Sequence, residues 1–329
     1  MQPHLSIAAM GGTIGMTAPA PGAGAEPRLD AAALVDRVPQ LGALAALRTT
    51  TVCNKPSVEV ADVLAALAWA RAQVDGGAAG VVVTHGTDTL EETAYLLDLL
   101  WDRAEPLVVT GAMRQADVPS TDAPANLLAA ARVALDPEAR GRGVLVVLDD
   151  AVHLAARVTK ESSTALDAFV SPGTGPVGRL HEHEPRFHAP APPRPEPLPD
   201  PPPGTVDVAL VEAPFADDGR MVRALLDAGY EALVVAGSGL GHVSAATYAE
   251  LAAAVARGVV VVVASRTARG GTGRSTYGYV GSETRLIEAG VLMAGELSGP
   301  KARLLLHVLR AAGYHGPRLA AALAARTRA

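Results

Sequence analysis

The sequence contains almost no cysteine and few aromatic side chains. Of its 329 residues, one is a cysteine (Cys53) and 3% are aromatic. A single cysteine excludes an internal disulfide and any metal site built from several cysteines. The shortage of aromatic rings argues against a surface that stacks nucleic-acid bases, and the net charge of −6 leaves no excess of positive charge for a polyanion. We therefore expect a small-molecule substrate, with no nucleic acid and no membrane as partner.

Long apolar runs are also missing. The most apolar stretch, residues 258–265, is much shorter than the roughly 20 residues that a membrane-spanning helix needs. Residues 1–4 lack the basic and apolar regions of a secretory signal peptide. We therefore expect a soluble, cytoplasmic protein.

The length and the apolar content predict two domains. Hydrophobic residues make up 49% of the chain, which is enough for a large core. A chain of 329 residues is longer than single-core domains usually are. Short apolar runs alternate with helical patterns, which is typical of parallel strands joined by helices. We predict an α/β protein with a larger N-terminal domain, built on a mostly parallel sheet flanked by helices, and a smaller C-terminal α/β domain. The predicted boundaries are 1–188 for the first domain, 189–205 for a proline-rich linker and 206–329 for the second domain.

Individual elements follow from the same patterns. Predicted strands cover residues 5–9, 49–53, 80–84, 107–110, 144–148, 206–211, 232–236 and 259–264. Apolar residues recur at helical spacing in 60–67 and 90–101, which predicts a helix in each range. Further predicted helices cover 220–228, 244–256 and, as the final one, about 300–312.

Two short segments place glycine next to reactive groups directly after predicted strands. Residues 11–13 are Gly-Gly-Thr, and residues 84–92 place Thr84, Thr87 and Asp88 around Gly86, followed by the start of a helix. Two glycines permit a tight turn and leave the Thr13 hydroxyl unshielded. Because ligands of open α/β sheets bind beyond the carboxyl ends of the strands, we expect Thr13, Thr87 and Asp88 to meet at one edge. A hydroxyl at that edge is a nucleophile once a base removes its proton.

Two residues are candidates for that base. His85 belongs to the second segment, but a residue between a strand and a glycine points into the core as readily as into a site. Lys160 lies among hydroxyl residues, and burial would have to lower its pKa from about 10.4 for it to accept a proton. The residues alone leave both alternatives open, and Lys160 by itself also fits an ordinary surface lysine.

A helix is predicted to begin directly after the second segment. Thr89 and Glu92 have the spacing of a capping box, which places Thr87 and Asp88 just before the helix N-terminus. The N–H groups and the dipole there favour negative charge, such as an oxyanion or a substrate carboxylate. Residues 17–30, rich in proline and glycine, follow Thr13 and are interpreted as a mobile lid or an ordinary surface loop.

In combination, these segments resemble the signature motifs of the bacterial-type L-asparaginases. The resemblance rests on Gly-Gly-Thr-Ile at residues 11–14 and on His-Gly-Thr-Asp-Thr-Leu-Glu-Glu-Thr-Ala at residues 85–94. Further matches extend along nearly the whole chain, at residues 110–114, 120–127, 158–160, 264–266 and 300–303. The resemblance implies the two-domain fold and hydrolysis of the side-chain amide of L-asparagine, sometimes of glutamine, to the acid and ammonia without metal or cofactor.

The resemblance also implies roles for individual residues. Thr13 would be the nucleophile that forms an acyl-enzyme, and Thr87, Asp88 and Lys160 would supply a second set of hydroxyl, carboxylate and amine. The implied substrate-binding residues are Gly12, Ser57, Val58, Gly86, Thr87, Asp88, Ala112 and Met113, with Ser57 on the α-carboxylate and Asp88 on the α-amino group. The family usually forms a tetramer of tight dimers in which the partner's C-terminal domain completes each site, and the candidates for that contribution are His242, Tyr277 and Glu283.

The substrate-recognition residues depart from the family pattern. No tyrosine occurs in residues 14–94, where the family's lid usually carries one, and Val58 stands where a glutamine or an acid is common. Leu240 and His242 replace both asparagines of a Gly-Asn-Gly-Asn segment. Straight counting places Tyr277 at the position of the acid donated across the dimer, with Glu283 six residues later. These departures put substrate specificity in question more than the reaction class.

Three alternatives remain at this point. The first is a related amidohydrolase with altered specificity, for glutamine or D-asparagine, and the second is a weakly active homologue that only binds a small molecule. The third, the amidase subunit of the archaeal-type amidotransferase acting on misacylated glutamyl-tRNA, is less favoured, because we would expect a further domain before the first strand. His181, His183 and His188 precede the proline cluster without the spacing of a metal site.

Overall fold

The computed structural model describes residues 2–20, 22–204 and 206–327. The chain divides into two compact units, Met1–Pro197 and Leu198–Ala329. Residue 21 of the predicted lid, residue 205 of the predicted linker and the chain ends at residues 1, 328 and 329 lie outside the described residues.

The N-terminal unit is an α/β structure. Its strands are β1 (His4–Ala9), β2 (Met16–Thr17), β3 (Glu26–Pro27), β4 (Ala46–Thr51), β5 (Gly80–Thr84), β6 (Leu107–Thr110), β7 (Val144–Leu148), β8 (Ala151–Leu154), β9 (Thr159–Lys160), β10 (Phe169–Val170), β11 (Gly178–His181) and β12 (Glu184–Phe187). Its α-helices are α1 (Ala31–Asp36), α2 (Leu41–Leu44), α3 (Val60–Asp75), α4 (Leu90–Leu100) and α5 (Ala123–Leu135).

The main sheet of this unit has, over the described residues, the order β12-β11-β8-β7-β6-β5-β1-β4. The five strands from β7 to β4 run parallel, and β8, β11 and β12 extend the sheet antiparallel. Every residue of β5 and β7 is buried, as expected for central strands of a parallel sheet covered on both faces. The predicted mostly parallel sheet is confirmed, and the antiparallel extension is the part that the sequence analysis missed.

The C-terminal unit is a smaller α/β structure. Its elements are β13 (Ala209–Glu212), α6 (Arg220–Asp227), β14 (Ala232–Gly237), α7 (Ala245–Ala256), β15 (Val260–Ser265), α8 (Glu283–Glu288), β16 (Leu292–Met293), α9 (Gly299–Ala311) and α10 (Gly316–Thr327). The strands pair in parallel in the order β13-β14-β15-β16 within the described part of the chain. The two-domain α/β fold class predicted from the sequence is therefore confirmed.

The predicted elements differ from the observed ones mainly at sheet edges. The strand predicted at 49–53 is β4, which begins and ends earlier, and the strand predicted at 206–211 is β13, which begins at Ala209. Both are edge strands with several exposed residues, so an apolar run does not mark their limits. The helix predicted to be the last is α9, but α10 follows it, and only Leu319, Leu323 and Thr327 of α10 are buried.

The chain reversal after β1 brings the two glycine-containing segments into contact. Ala9 lies opposite Thr84 in the parallel register of β1 and β5, and the N–H of Met10 donates to the Thr84 carbonyl at 2.9 Å. Gly12 then adopts a φ of 86°, and a Cβ added to it would lie 2.3 Å from the Gly86 Cα. A side chain therefore does not fit on Gly12, whereas a Cβ on Gly86 would make one tight contact, at 3.3 Å from the Gly12 Cα.

Substitution of Gly12 tests this contact. We expect Gly12→Ala to lower the free energy of unfolding by at least about 3 kcal/mol, because overpacking against Gly86 adds to the strain of a left-handed conformation. Gly22→Ala is the control, since Gly22 has a similar φ of 81° but nothing within 4 Å of an added Cβ. That variant should lose only about 1 kcal/mol. If urea unfolding gave the same loss of unfolding free energy for both variants, the close contact between the Gly12 and Gly86 backbones would not explain the effect of Gly12→Ala.

Candidate active site

Lys160 forms hydrogen bonds with both Thr87 and Asp88, the hydroxyl and the carboxylate with which the sequence analysis grouped it. Its Nζ donates to Thr87 Oγ1 at 3.0 Å and to Asp88 Oδ1 at 2.8 Å, although the lysine is 73 and 72 positions away in the sequence. The lysine side chain is only 16% exposed, whereas the Asp88 side chain is 95% exposed. The ammonium group is therefore shielded and fixed, and the carboxylate remains open to a ligand.

Both the backbone and the side chain of Lys160 are attached to the segment after β5. Lys160 lies in β9, which pairs with β10 opposite Phe169. Its backbone N–H donates to Glu91 Oε2 at 2.7 Å, and Glu91 belongs to the first turn of α4. These bonds leave the lysine side chain little freedom and direct it toward Thr87.

Thr87 and Asp88 immediately precede the N-terminus of α4. Thr89 is the N-cap residue of this helix, and Glu91 and Glu92 carry negative charge in its first turn, where the helix dipole favours it. The predicted capping box is wrong, however, because the Thr89 side chain makes no capping hydrogen bond. The Thr89 backbone, with a φ of −124° and a ψ of 15°, lies outside the extended conformation that capping residues usually adopt.

A small cavity of about 40 Å³ opens beside these groups. Its lining, within the part of the chain that the structure describes, comprises Met10, Gly12, Thr13, Met16, Lys55, Pro56, Val58, His85, Gly86, Thr87, Asp88 and Thr89. The two threonines and the carboxylate that the sequence analysis expected at one sheet edge thus border one cavity. By the volume that one water needs, it holds roughly three waters, which is enough for a small polar group such as a primary amide.

Thr13 is held by the backbone of its own turn. It begins a short 3₁₀ turn, Thr13–Gly15, in which the Gly15 N–H donates to the Gly12 carbonyl at 2.9 Å. The Thr13 side chain is partly exposed. Its hydroxyl has no hydrogen-bond partner among the residues in the described ranges, so the cavity contains a hydroxyl without an assigned base.

His85, the other candidate base, belongs to the core. Its ring is 1% exposed, and its Nδ1 donates to the Gly86 carbonyl at 2.8 Å. In the neutral ring, Nε2 therefore accepts from the Thr93 hydroxyl at 3.0 Å. Desolvation lowers the pKa of His85 more than the bond to Gly86 raises it. The neutral ring has both nitrogens occupied and does not offer a proton acceptor to Thr13.

Some of the predicted substrate-recognition residues line the cavity and others do not. Val58 lines the cavity, and Ser57 beside it is exposed in the turn before α3. Ala112 packs in the hydrophobic core of the unit, and neither it nor Met113 is part of the described cavity lining. Lys55, which the sequence analysis missed, does line the cavity, and its Nζ lies 2.7 Å from Asp62 Oδ2.

The predicted lid segment contains a short hairpin next to Thr13. Strands β2 and β3 pair antiparallel, and the N–H groups of Arg28 and Leu29 both donate to the Gly15 carbonyl at 3.0 Å. Asp117 Oδ2 accepts from the N–H of Ala18 at 2.8 Å. The C-terminal end of the segment is therefore attached to the turn that contains Thr13, and the mobility of the segment stays a prediction.

The candidates for a contribution across a dimer lie together in the C-terminal unit. His242 Nε2 is 2.8 Å from Glu283 Oε2, and the ring of Tyr277 meets the His242 ring edge-on with centroids 5.2 Å apart. Tyr279, which the sequence analysis did not identify, places its hydroxyl 2.7 Å from His242 Nδ1. No sequence signal marks Tyr279, since its partner His242 is 37 positions away.

No helix among the described residues is both long enough and apolar enough to cross a membrane. The same residues contain no group of three or more histidine, cysteine, aspartate or glutamate side chains arranged to hold a metal ion. The expectation of a reaction without metal or cofactor stays a prediction.

Two family models match the chain in sequence order. The model described as "Asparaginase, N-terminal" matches residues 4–193, and the model described as "Glutaminase/Asparaginase C-terminal domain" matches residues 207–323. Together they cover both structural units.

Individual relatives agree with these models. The chain is 36% identical to a "Probable L-asparaginase periplasmic" of Haemophilus influenzae over 93% of this chain and 88% of the relative. It is 34% identical to "L-asparaginase 2" of Escherichia coli over 84% and 79% of the two chains. A crystal structure described as a probable cytoplasmic L-asparaginase from Campylobacter jejuni has a TM-score of 0.87 and 28% identity, and the match covers 98% of this chain and 99% of that one. The chain therefore belongs to the asparaginase family.

Proposed function

We propose that this protein is an L-asparaginase, which hydrolyses the side-chain amide of L-asparagine to L-aspartate and ammonia. The observation that carries the proposal is the Lys160 ammonium, bonded to both Thr87 and Asp88 beside the cavity that Thr13 borders. A threonine hydroxyl can serve as the nucleophile of an amide hydrolysis through an ester, and the second hydroxyl, the carboxylate and the amine can transfer protons and bind a charged substrate group. Membership of the asparaginase family agrees with this reaction.

Thr13 is the nucleophile in this proposal. Its hydroxyl faces no competing hydrogen-bond partner in the described chain, and the glycine turn leaves it accessible from the cavity. Attack on the amide carbon forms a tetrahedral intermediate, ammonia leaves, and a Thr13 ester remains. The oxyanion requires preorganised donors, and the backbone N–H groups before the α4 N-terminus are suited to that role.

Thr87, Asp88 and Lys160 serve the second half of the reaction. A water molecule must lose a proton to attack the ester, and the Lys160–Thr87 hydrogen bond provides a path from the cavity to the amine. This step requires Lys160 as the neutral amine, which accepts the water proton through Thr87; the hydroxide bonds to the ester carbon, the bond to the Thr13 oxygen breaks, and the proton returns to that oxygen as the acid product leaves.

Substrate recognition assigns one polar side chain to each charged group of the amino acid. The exposed Asp88 carboxylate binds the α-amino group, and Ser57 binds the α-carboxylate. Gly12, Gly86 and Val58 form the wall of the cavity. Ala112 and Met113 follow β6 and lie outside the described cavity lining, so in this proposal they support the site without lining the cavity. Because Val58 offers no hydrogen bond, we infer that this enzyme holds the amino-acid backbone less selectively than a site with a glutamine or acid there.

We further propose that the enzyme is cytoplasmic and is a homotetramer or dimer, with sites completed by the C-terminal unit of a partner copy through His242, Tyr277 or Glu283. The cluster that these residues form supports the assignment. No cofactor has a role in this reaction, because the nucleophile, the carboxylate and the amine are all side chains of this chain. Domain limits of 1–188 and 206–329 with a proline-rich linker between them remain part of the proposal.

Ammonia release measures the proposed activity directly. We expect the purified protein to release ammonia from L-asparagine faster than from L-glutamine or D-asparagine, and Thr13→Ala to lower kcat by at least about 1,000-fold, since the ester can no longer form. Faster release from glutamine or D-asparagine would establish the amidohydrolase of altered specificity instead. The absence of ammonia above the Thr13→Ala background from all three amides would refute the proposal and favour a binding protein.

Substitution of Lys160 distinguishes a role of its amine in proton transfer from a role of its positive charge alone. Lys160→Met should lower kcat by about 100-fold or more, the usual contribution of a general base, while the fold persists because its partner Asp88 is exposed. Lys160→Arg keeps the charge near Asp88 but cannot release a proton, so it should lose activity to a similar extent. An acylated Thr13 should accumulate in both variants and be detected by mass spectrometry. An Arg variant with wild-type kcat would show that Lys160 supplies charge only.

A further inference from the structure

Asn126 connects the carboxyl ends of two neighbouring strands of the main sheet. It lies near the N-terminus of α5 and is 3% exposed. Its Nδ2 donates to the carbonyl of Gly111, the residue after β6, at 3.0 Å, and its Oδ1 accepts the N–H of Asp149, the residue after β7, at 3.0 Å. Because β6 and β7 run parallel with β5 and β1, both bonds lie at the edge of the sheet that carries the threonine site.

Asp122 fixes the orientation of the Asn126 amide. Its Oδ2 accepts a hydrogen bond from Asn126 Nδ2 at 2.9 Å, so the amide group donates twice and accepts once. The same carboxylate accepts the N–H groups of Met113 and Arg114 at 2.9 and 3.0 Å. Together, Asp122 and Asn126 therefore attach the loop after β6 to the start of α5 through three of its backbone groups.

The attached loop packs against the segment that carries Thr87. Gly111 allows a close approach, since a Cβ added to it would lie 2.7 Å from the His85 carbonyl oxygen and 3.3 Å from the Thr87 Cγ2 methyl. The N–H of His85 donates to the Thr110 carbonyl at 2.8 Å. The backbone at Gly111 therefore forms a wall behind the Thr87 side chain.

The direction of the Thr87 hydroxyl depends on that wall. Thr87 is 5% exposed, its Oγ1 accepts from Lys160 Nζ at 3.0 Å, and its methyl packs against Gly111. A threonine side chain occupies one of a few staggered positions about χ1, which differ in where the methyl and the hydroxyl point. If Gly111 moved away, the methyl would gain room to leave its position, and the hydroxyl would turn away from the lysine.

We propose that Asn126 is a positioning residue of this enzyme, which directs the Thr87 hydroxyl at Lys160 by holding Gly111 against the Thr87 methyl. The inference rests on the proposed function, in which the proton of the attacking water passes through Thr87 to Lys160. Asn126 is not part of the described cavity lining, so it acts through Thr87 on ester hydrolysis and leaves substrate binding and ester formation unaffected.

The kinetics of Asn126→Asp test this role. The variant side chain has nearly the same size, but as a carboxylate it cannot donate to the Gly111 carbonyl. We expect kcat to fall at least about 10-fold, because a small displacement of a reacting group has an effect of this size. The ratio kcat/KM should change little, since it reports the steps up to ester formation, and acylated Thr13 should accumulate. Wild-type kcat, or a lower kcat without the ester, would overturn the proposal.

Asp98→Asn is the matched control for lost stability. Asp98 Oδ1 accepts the N–H of Val144 at 2.9 Å, so it holds the amino end of β7, the strand whose carboxyl end Asn126 holds. This substitution should lower the free energy of unfolding, with wild-type kcat and no accumulated ester. Ester accumulation in Asp98→Asn would show that any weakening of the sheet has this effect, and would overturn the specific role of Asn126.

A double substitution tests whether Asn126 acts through the Thr87 methyl. A serine at position 87 keeps the hydroxyl but has no methyl in contact with Gly111. If the proposal holds, adding Asn126→Asp to Thr87→Ser should lower kcat by about 2-fold or less, the range expected when the coupled group is already missing. The same fold loss in the Thr87→Ser protein as in the wild-type protein would overturn the proposed path.

NMR tests the coupling without asparaginase activity. Threonine labelled with carbon-13 at its methyl group gives one resonance for Thr87, which is identified by its loss in Thr87→Ser. In the protein without substrate, we expect this resonance to shift in Asn126→Asp and to stay in place in Asp98→Asn. An unshifted resonance in Asn126→Asp would overturn the proposal. If the protein released no ammonia but the resonance shifted as expected, the proposed function would fail while the coupling of Asn126 to Thr87 would stand.

Discussion

The contact between the Gly12 and Gly86 backbones is the constraint on which the threonine site depends. Parallel pairing of β1 with β5 places the carboxyl ends of both strands side by side. The distance between the following loops is then set by whether a side chain lies between them. With glycine at both positions, the turn that carries Thr13 closes directly on the segment that carries Thr87 and Asp88. A methyl group on Gly12 would force the two segments apart, so the placement of the two hydroxyls follows from a backbone requirement.

The charges of the site depend on this placement. Lys160 reaches Thr87 and Asp88 from β9, and its backbone is bonded to Glu91 of the same segment. An ammonium group in a partly shielded position is stabilised by a nearby carboxylate and destabilised by the loss of water. Asp88 is exposed, so solvent and a bound substrate both compete for it. A ligand ammonium on Asp88 would therefore share this carboxylate with Lys160.

The sequence predicts the limits of the buried central strands better than the limits of the edge strands. Central strands such as β5 and β7 are continuous apolar runs because both of their faces are covered, and their limits were predicted correctly. The edge strands β4 and β13 are partly exposed, so their sequences resemble loops and their limits were missed. In the site, the spacing of glycines and hydroxyls after strands indicates the edge where they meet. It does not predict that Lys55 lines the cavity, because that depends on the path of the loop before α3.

Histidine shows why residue type alone does not identify a base. His85 lies inside the most reactive segment of the sequence, yet its ring donates to the Gly86 carbonyl and accepts from Thr93, so its hydrogen bonds stabilise the loop that it occupies. His242 stands in a glycine-rich segment of no evident reactivity, yet its two nitrogens connect a buried carboxylate to an exposed phenol. Both rings are bonded on both sides, and the difference lies in the partners. The partners of His85 are a carbonyl and an aliphatic hydroxyl, whereas those of His242 are a buried carboxylate and a phenol. The partners of a histidine therefore decide its function, and the fold supplies them from positions that are distant in the sequence.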